Sequence, residues 1–188
     1  RGAFVRADVT EPANYRATRH FNDWMKARGI VGLSGIDTRA LTALIRESGA
    51  ANAVIAHDPD GNFDIEALKL AAANWPGLVG MDLAKEVTCR QSYGWDEGVW
   101  RPGQPNGQGY GSRPQTDAPA YRVVAMDFGA KRNILRSLVA AGCKVTIVPA
   151  STNVDDILGH NPDGIFLSNG PGDPMATGVY AVPTIKAL

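Results

Sequence analysis

The sequence predicts an α/β protein in two parts, an N-terminal α+β portion followed by the start of a parallel sheet. Three observations carry that prediction. Beyond residue 121, continuous apolar runs alternate with amphipathic helical patterns, the mark of buried parallel strands joined by crossover helices. Before residue 92 the apolar elements are short and mixed. Between them, 93–120 is rich in Gly, Pro and Gln and almost free of aliphatic side chains. Such a stretch cannot bury enough apolar surface to fold alone and reads as an exposed or partly disordered linker, hence as the domain boundary.

In the first part (1–92), Phe21, Trp24 and Met25, extended by Arg28, recur at helical spacing, and Gly29 stops the helix. A short apolar stretch follows over 30–33. Asp37 is placed to cap a helix over 38–47 with Leu41, Leu44 and Ile45 on one face and Gly49 just past its end. "NAVIAH" (52–57) reads as a strand and "DPDGN" (58–62) as a turn. "DIEALKLAAANW" (64–75) reads as a helix ended by Pro76 and Gly77.

In the last part (121–188), "YRVVAMDF" is a buried strand. "GAKRNILRSLVAAG" is a helix with Ile134, Leu135, Leu138 and Val139 inward. "CKVTIVP", "NVDDILGH" and "DGIFLSN" then read as strand, short helix and strand. In parallel sheets ligands bind beyond the carboxyl ends of the strands. "FLSNGPGDP" (166–174) stands at such an end.

Composition excludes several classes. Nineteen basic and nineteen acidic residues cancel in a chain of 188, so no field favours nucleic acid or an anionic membrane. No apolar run approaches the ~20 residues of a membrane span. The opening "RGAFVRADVT" has no initiator Met and no signal pattern, and reads as a cut into a longer chain. Cys89 and Cys143 lie far apart without C-x-x-C spacing, which suits a reduced, cytoplasmic protein. Cys143 is expected to face the core rather than to act as a nucleophile. His20, His57 and His160 share no ligand spacing, so no metal site is expected.

Other patterns fail on their own terms. Asp58, Asp60 and Asn62 resemble the start of a calcium loop, but Phe63 stands where Gly is needed and Lys69 where Glu is needed. "DFG" at 127–129 lacks every other kinase element. Gly107, Gly109 and Gly111 do not lie between a strand and a helix, so they are no dinucleotide fingerprint. Lys131, Arg132 and Asn133 open a helix where the macrodipole favours acidic groups. A solvated basic turn and a polar contact with another part or a partner are both open readings.

The glycines of "SNGPGDP" can aim backbone N–H groups into one concavity and form an anion or oxyanion nest. Pro171 and Pro174 stiffen the loop. The physics alone equally allows a rigid turn that merely leaves the sheet.

The loop resembles that of class I, triad-type glutamine amidotransferases. Together with "GIDTRALTALIRESGA", "PGLVGMDLAKEVT", "VVAMDFGAKRNILRSLVAAGCKVTIVPA" and "NPDGIFLSNGPGDP", in that order, it resembles the small-subunit family of carbamoyl phosphate synthase. The resemblance implies part of an N-terminal domain over 1–92, a linker over 93–120 and the first βαβαβ of a flavodoxin-like amidotransferase domain over 121–188. It further implies hydrolysis of L-glutamine and passage of the ammonia through a tunnel to a large subunit. By the same resemblance Gly170 and Gly172 contact glutamine, and the Gly170 amide supports the tetrahedral oxyanion.

The family's nucleophile is a Cys in a G-x-C-L-G-H-Q elbow, with a His and a Glu further on, and no such elbow occurs in these 188 residues. The resemblance places that elbow after Leu188 and a glutamine-contacting Ser before Arg1. The chain is therefore expected to hold one wall of the site, to have no catalytic triad residue and to be inactive alone. No cofactor is expected on it, since ATP, Mg²⁺ and bicarbonate belong to the large subunit. Two rivals stay open at this point. One is a non-catalytic module that docks on a large subunit. The other is a flavodoxin-like nucleotide binder, for which no phosphate loop is found.

Overall fold

The computed structural model describes all residues except 1, 16, 50, 104–108 and 113–119. The chain divides into two compact units, Arg1–Gly77 and Leu78–Leu188.

In the first unit, strands β1 (Gly2–Phe4) and β2 (Val31–Leu33) pair in parallel. Helix α1 (Phe21–Lys26) turns Met25 inward, and this is the one buried hydrophobic residue of the unit among those described. Phe21 and Trp24 stack on each other at 5.9 Å, and the Arg28 guanidinium lies 4.2 Å over the Trp24 ring. Helix α2 (Thr38–Ser48) starts as its sequence predicts, with the Asp37 carboxylate accepting from the Arg39 and Ala40 N–H groups. Asp64 caps α3 (Ile65–Ala73) by accepting from the Ala67 N–H. The 58–62 turn is closed by its own first residue, since Asp58 accepts from the Asp60 and Asn62 N–H groups.

The strand expected over 52–57 does not form. β-branched content is a preference for a pleated, half-buried surface and not a pairing. Here 52–57 forms no ladder with β1 or β2 among the described residues, although the Ile55 side chain lies against Gly2 of β1.

In the second unit, α4 (Ala84–Val87) and β3 (Tyr93–Trp95) precede the alternation read from the sequence. Then come β4 (Arg122–Asp127), α5 (Arg132–Ala140), β5 (Lys144–Pro149), α6 (Val154–Gly159), β6 (Gly164–Leu167) and α7 (Pro174–Ala187). The sheet order is β3-β5-β4-β6, with β3 antiparallel at one edge and the other three parallel. This is the mixed α/β architecture expected at the start of a flavodoxin-type domain.

Alternate residues of β4 and β5 face opposite layers. Val124, Met126 and Val148 meet Phe128, Ile157 and Ala181 on one face, while Ala125, Val145 and Ile147 meet Leu135 and Val139 on the other. Met126, Ile147 and Ile157 are fully buried, each contributing about 1.5–3 kcal/mol of hydrophobic transfer. Successive strands lie first to one side of β4 and then to the other, so the order reverses there. The carboxyl ends of β4 and β6 therefore flank the switch point, where open sheets form their crevice.

The compact units divide after Gly77, and 93–95 belongs to the sheet. Trp100 and Tyr110 form an antiparallel bridge, flanked by the Gly98 N–H to Gly111 carbonyl bond of 2.7 Å. Arg136 on α5 ties this arm down, pairing with Glu97 at 2.6 Å and lying 4.1 Å over the Tyr110 ring. A window average dominated by Gly, Pro and Gln hides a three-residue strand and a few aromatic anchors. Residues 104–108, with Gly107, and 113–119 of the expected linker fall outside the described residues. Among the described residues no helix is long and apolar enough to cross a membrane.

Candidate functional site

The loops leaving β4 and β6 are laced together. Ser168 prolongs the ladder by donating its N–H to Met126, at 3.2 Å. Its hydroxyl accepts from the Phe128 N–H at 2.9 Å and donates to the Asn169 carbonyl at 2.7 Å. Asp127 ends β4 with a buried carboxylate that accepts from three backbone N–H groups, those of Cys89, Gly129 and Ala130. Its chemistry is thus consumed in shaping the turn at 127–130 and holding the chain at Cys89. The first residue of "DFG" is a structural acceptor.

Gly170 and Gly172 are required by the close approach of other backbone. A Cβ on Gly170 would lie 2.5 Å from the Phe128 carbonyl oxygen. Gly172 has φ of +87°, and its Cβ would lie 2.5 Å from the Met81 carbonyl oxygen and 2.9 Å from the Leu83 nitrogen. Both positions demand glycine. The Asp173 N–H is spent on the Met81 carbonyl at 2.9 Å. Among the described residues neither the Gly170 nor the Gly172 N–H has a partner.

Beside this loop lies a cavity of about 280 Å³ between the end of β6 and α7. Gly170, Gly172 and Ser168 line it together with Phe128, Leu167 and Ala181. None of its lining residues carries a carboxylate, amine, imidazole or thiol. The wall can offer N–H donors and the hydroxyls of Ser168 and Thr177, and none of its lining residues could act as a general base to activate them.

The residues around the loop are held by carboxylates that the sequence reading missed. Asp173 caps α7, accepting from the Met175 N–H through Oδ1 and from the Gly80 N–H through Oδ2, each at 2.8 Å. Those two donors, Gly80 first, hold its carboxyl below the usual range. Asp82 accepts from the Thr177 hydroxyl at 3.0 Å and the Tyr180 hydroxyl at 3.3 Å, and pairs with Lys85 at 3.2 Å. Burial pushes the Asp82 carboxyl up, but the Lys85 and Thr177 contacts outweigh it and leave it lowered. Burial and the neighbouring Asp82 charge push the Tyr180 hydroxyl up. A "G-D-P" after a strand is the signal for the Asp173 cap, since Asp before Pro suits the start of a helix. Nothing local announces its second bond, 93 residues away in sequence.

The cysteines lie elsewhere. Both are half-buried, free and packed against the layer of Ile147 and Leu135. Burial and the Asp127 carboxylate push the Cys89 thiol up, the wrong direction for a nucleophile. Lys131, Arg132 and Asn133 are exposed at the start of α5, and among the described residues their side chains make no hydrogen bond or ion pair. They do not line the cavity.

The chain is similar to known proteins over its whole length. Residues 1–55 match the family described as carbamoyl-phosphate synthase small chain, CPSase domain, and 124–188 match glutamine amidotransferase class-I. Proteins named carbamoyl phosphate synthase small chain from Brucella ovis and Brucella melitensis are 61% identical to this chain over 187 residues, and that from Brucella anthropi 60%. Each alignment covers 100% of this chain and 44% of the relative, so the chain spans a little under half the length of the curated relatives it matches. Both family segments are present in order and the identity is sustained from end to end, so the chain is similar throughout its length to carbamoyl phosphate synthase small chains.

Proposed function

We propose that this chain forms part of a glutamine-hydrolysing subunit, and that the loop at 168–173 is one wall of its glutamine site. In this reading L-glutamine enters beside Gly170 and Gly172, and the Gly170 N–H supplies one donor to the oxyanion of the tetrahedral intermediate. The ammonia released serves a large subunit that makes carbamoyl phosphate with ATP, Mg²⁺ and bicarbonate, feeding arginine and pyrimidine synthesis in the cytoplasm. The observation that carries the reading is the pair of unpartnered N–H groups in a glycine loop at the sheet's switch point, beside a cavity.

Residues 1–188 alone do not hydrolyse glutamine on this reading. Neither cysteine reaches the cavity, and no base lines it. Ammonia release from glutamine, measured with and without a large subunit, tests both parts. No turnover by 1–188 is expected, and turnover blocked by a thiol-directed glutamine analogue would overturn that expectation. The full-length small chain is expected to hydrolyse glutamine and to lose that activity with Gly170→Ala. Docking of 1–188 on a large subunit without turnover would fit the same assignment, since docking needs no triad.

A further inference from the structure

Backbone of the 80–83 segment runs directly against the glycine loop. The Met81 carbonyl and the Leu83 nitrogen stand where a Gly172 side chain would be. Two carboxylates close the contact from opposite sides. Asp173, at the end of the loop, accepts from the Gly80 N–H, while its own N–H donates to Met81. Asp82, on the segment, reaches back to Thr177 and Tyr180 on α7. The result is a reciprocal clasp, each strand of chain sending one carboxylate into the other.

We propose that Asp173 is a positioning residue for the Gly170 and Gly172 donors, acting by locking the 80–83 segment against the loop. This rests on the reading of the loop as a glutamine cradle. The reason lies in the division of labour between its oxygens. Oδ1 alone is enough to cap α7 through Met175, as Ser or Asn would. Oδ2 adds nothing to the helix and is used only on Gly80. An oxyanion donor must be fixed before charge develops, and a displacement near 1 Å costs about 100-fold in rate. Gly172, at φ of +87° and without a side chain of its own, depends on the contacts its neighbours make, and the Asp173 Oδ2 bond to Gly80 is the side-chain contact next to it that reaches the 80–83 segment. Asp173 touches no substrate in this scheme; it acts through the backbone.

The test uses the full-length small chain assembled with its large subunit. Asp173→Asn and Asp173→Ser each retain an oxygen able to cap α7. Neither can serve Met175 and Gly80 together, because Asn brings a second donor and Ser has one oxygen. Both variants are expected to keep the melting midpoint within about 2 °C and to lose about 100-fold in kcat/KM for glutamine. Carbamoyl phosphate formation from added ammonia, which bypasses the glutamine site, is expected to stay at the parent level. Amide exchange reads the clasp without any activity, and the Gly80 and residue-173 amides are expected to exchange at least about fivefold faster.

Parent-level glutamine hydrolysis in both variants would overturn the inference, as would unchanged exchange at those two amides. A parallel fall of glutamine- and ammonia-dependent synthesis would also overturn it, by showing a general folding role. Absence of glutamine hydrolysis in the unsubstituted protein, with exchange still accelerated, would sink the glutamine reading and leave the clasp as structure only.

Discussion

Two helices in each unit begin alike, and the helices of the two units lie in different surroundings. Asp37 and Asp64 cap α2 and α3 in the first unit as Asn153 and Asp173 cap α6 and α7 in the second. Yet Leu44 and Ile45 on the apolar face of α2 are 57% and 44% exposed, whereas Leu135 and Val139 on α5 are 2% and 0% exposed. Both helices carry a clear apolar stripe, so the stripe does not decide burial. What α5 has and α2 lacks within its unit is a sheet of three parallel strands to lie on. Local capping is written residue by residue, while burial requires a partner surface assembled from distant chain.

The strongest test of that contrast removes a side chain from the sheet. Ile147→Ala, at a fully buried position, is expected to destabilise the second unit by about 2–5 kcal/mol in urea unfolding. A loss below about 1 kcal/mol would mean that the layer over α5 is not the close-packed core described. Next in size is Gly172→Ala, expected to cost about 2–4 kcal/mol through its positive φ and the approach of Met81. A neutral result would show that the loop can move off the 80–83 segment.

Asp64→Ala probes what the units share. Loss of the cap is expected to cost about 1 kcal/mol, read as a matching drop in local stability of α3 by amide exchange. Titration of the Asp173 carboxyl extends the capping comparison to pH. Its folded pKa is depressed, so its stabilisation is complete above the unfolded value of about 3.9 and fades as pH falls through the lower folded value. The Gly80 and Met175 amide resonances are expected to shift together, with a midpoint below about 3.9; a midpoint at or above that value would contradict the two hydrogen bonds. Smallest of all, Leu44→Ala is expected to change stability by under about 0.5 kcal/mol. A core-sized loss there would erase the difference between the units.

Much of the second unit was legible because β4, β5 and β6 are largely apolar runs and α5 keeps a 3.6-residue stripe. β4, α5, β5, α6 and β6 fall where the pattern puts them. β3 was not legible, since Tyr93–Trp95 is too short to show a period and sits in polar, Gly-rich sequence. The 52–57 stretch failed for the opposite reason, being strand-like in composition but forming no ladder with the strands of its unit. At the site, the glycine loop and its place at a strand end were visible from residue types alone. The roles of Asp127, Asp82 and Ser168 were not, because each is defined by a partner 38 to 98 positions away.

The sequence by itself determined the alternation of strand and helix in the second unit, the Asp37 cap, the glycine loop after β6 and the family resemblance, because each rests on the order of neighbouring residues. Tertiary structure alone decided where the chain divides, that the Gly–Pro–Gln stretch opens with an edge strand, and what the glycines of the loop are for. Gly170 and Gly172 are glycine because the Phe128, Met81 and Leu83 backbone occupies the space a side chain would need. Such steric exclusion between segments far apart in sequence exists only once the chain has folded.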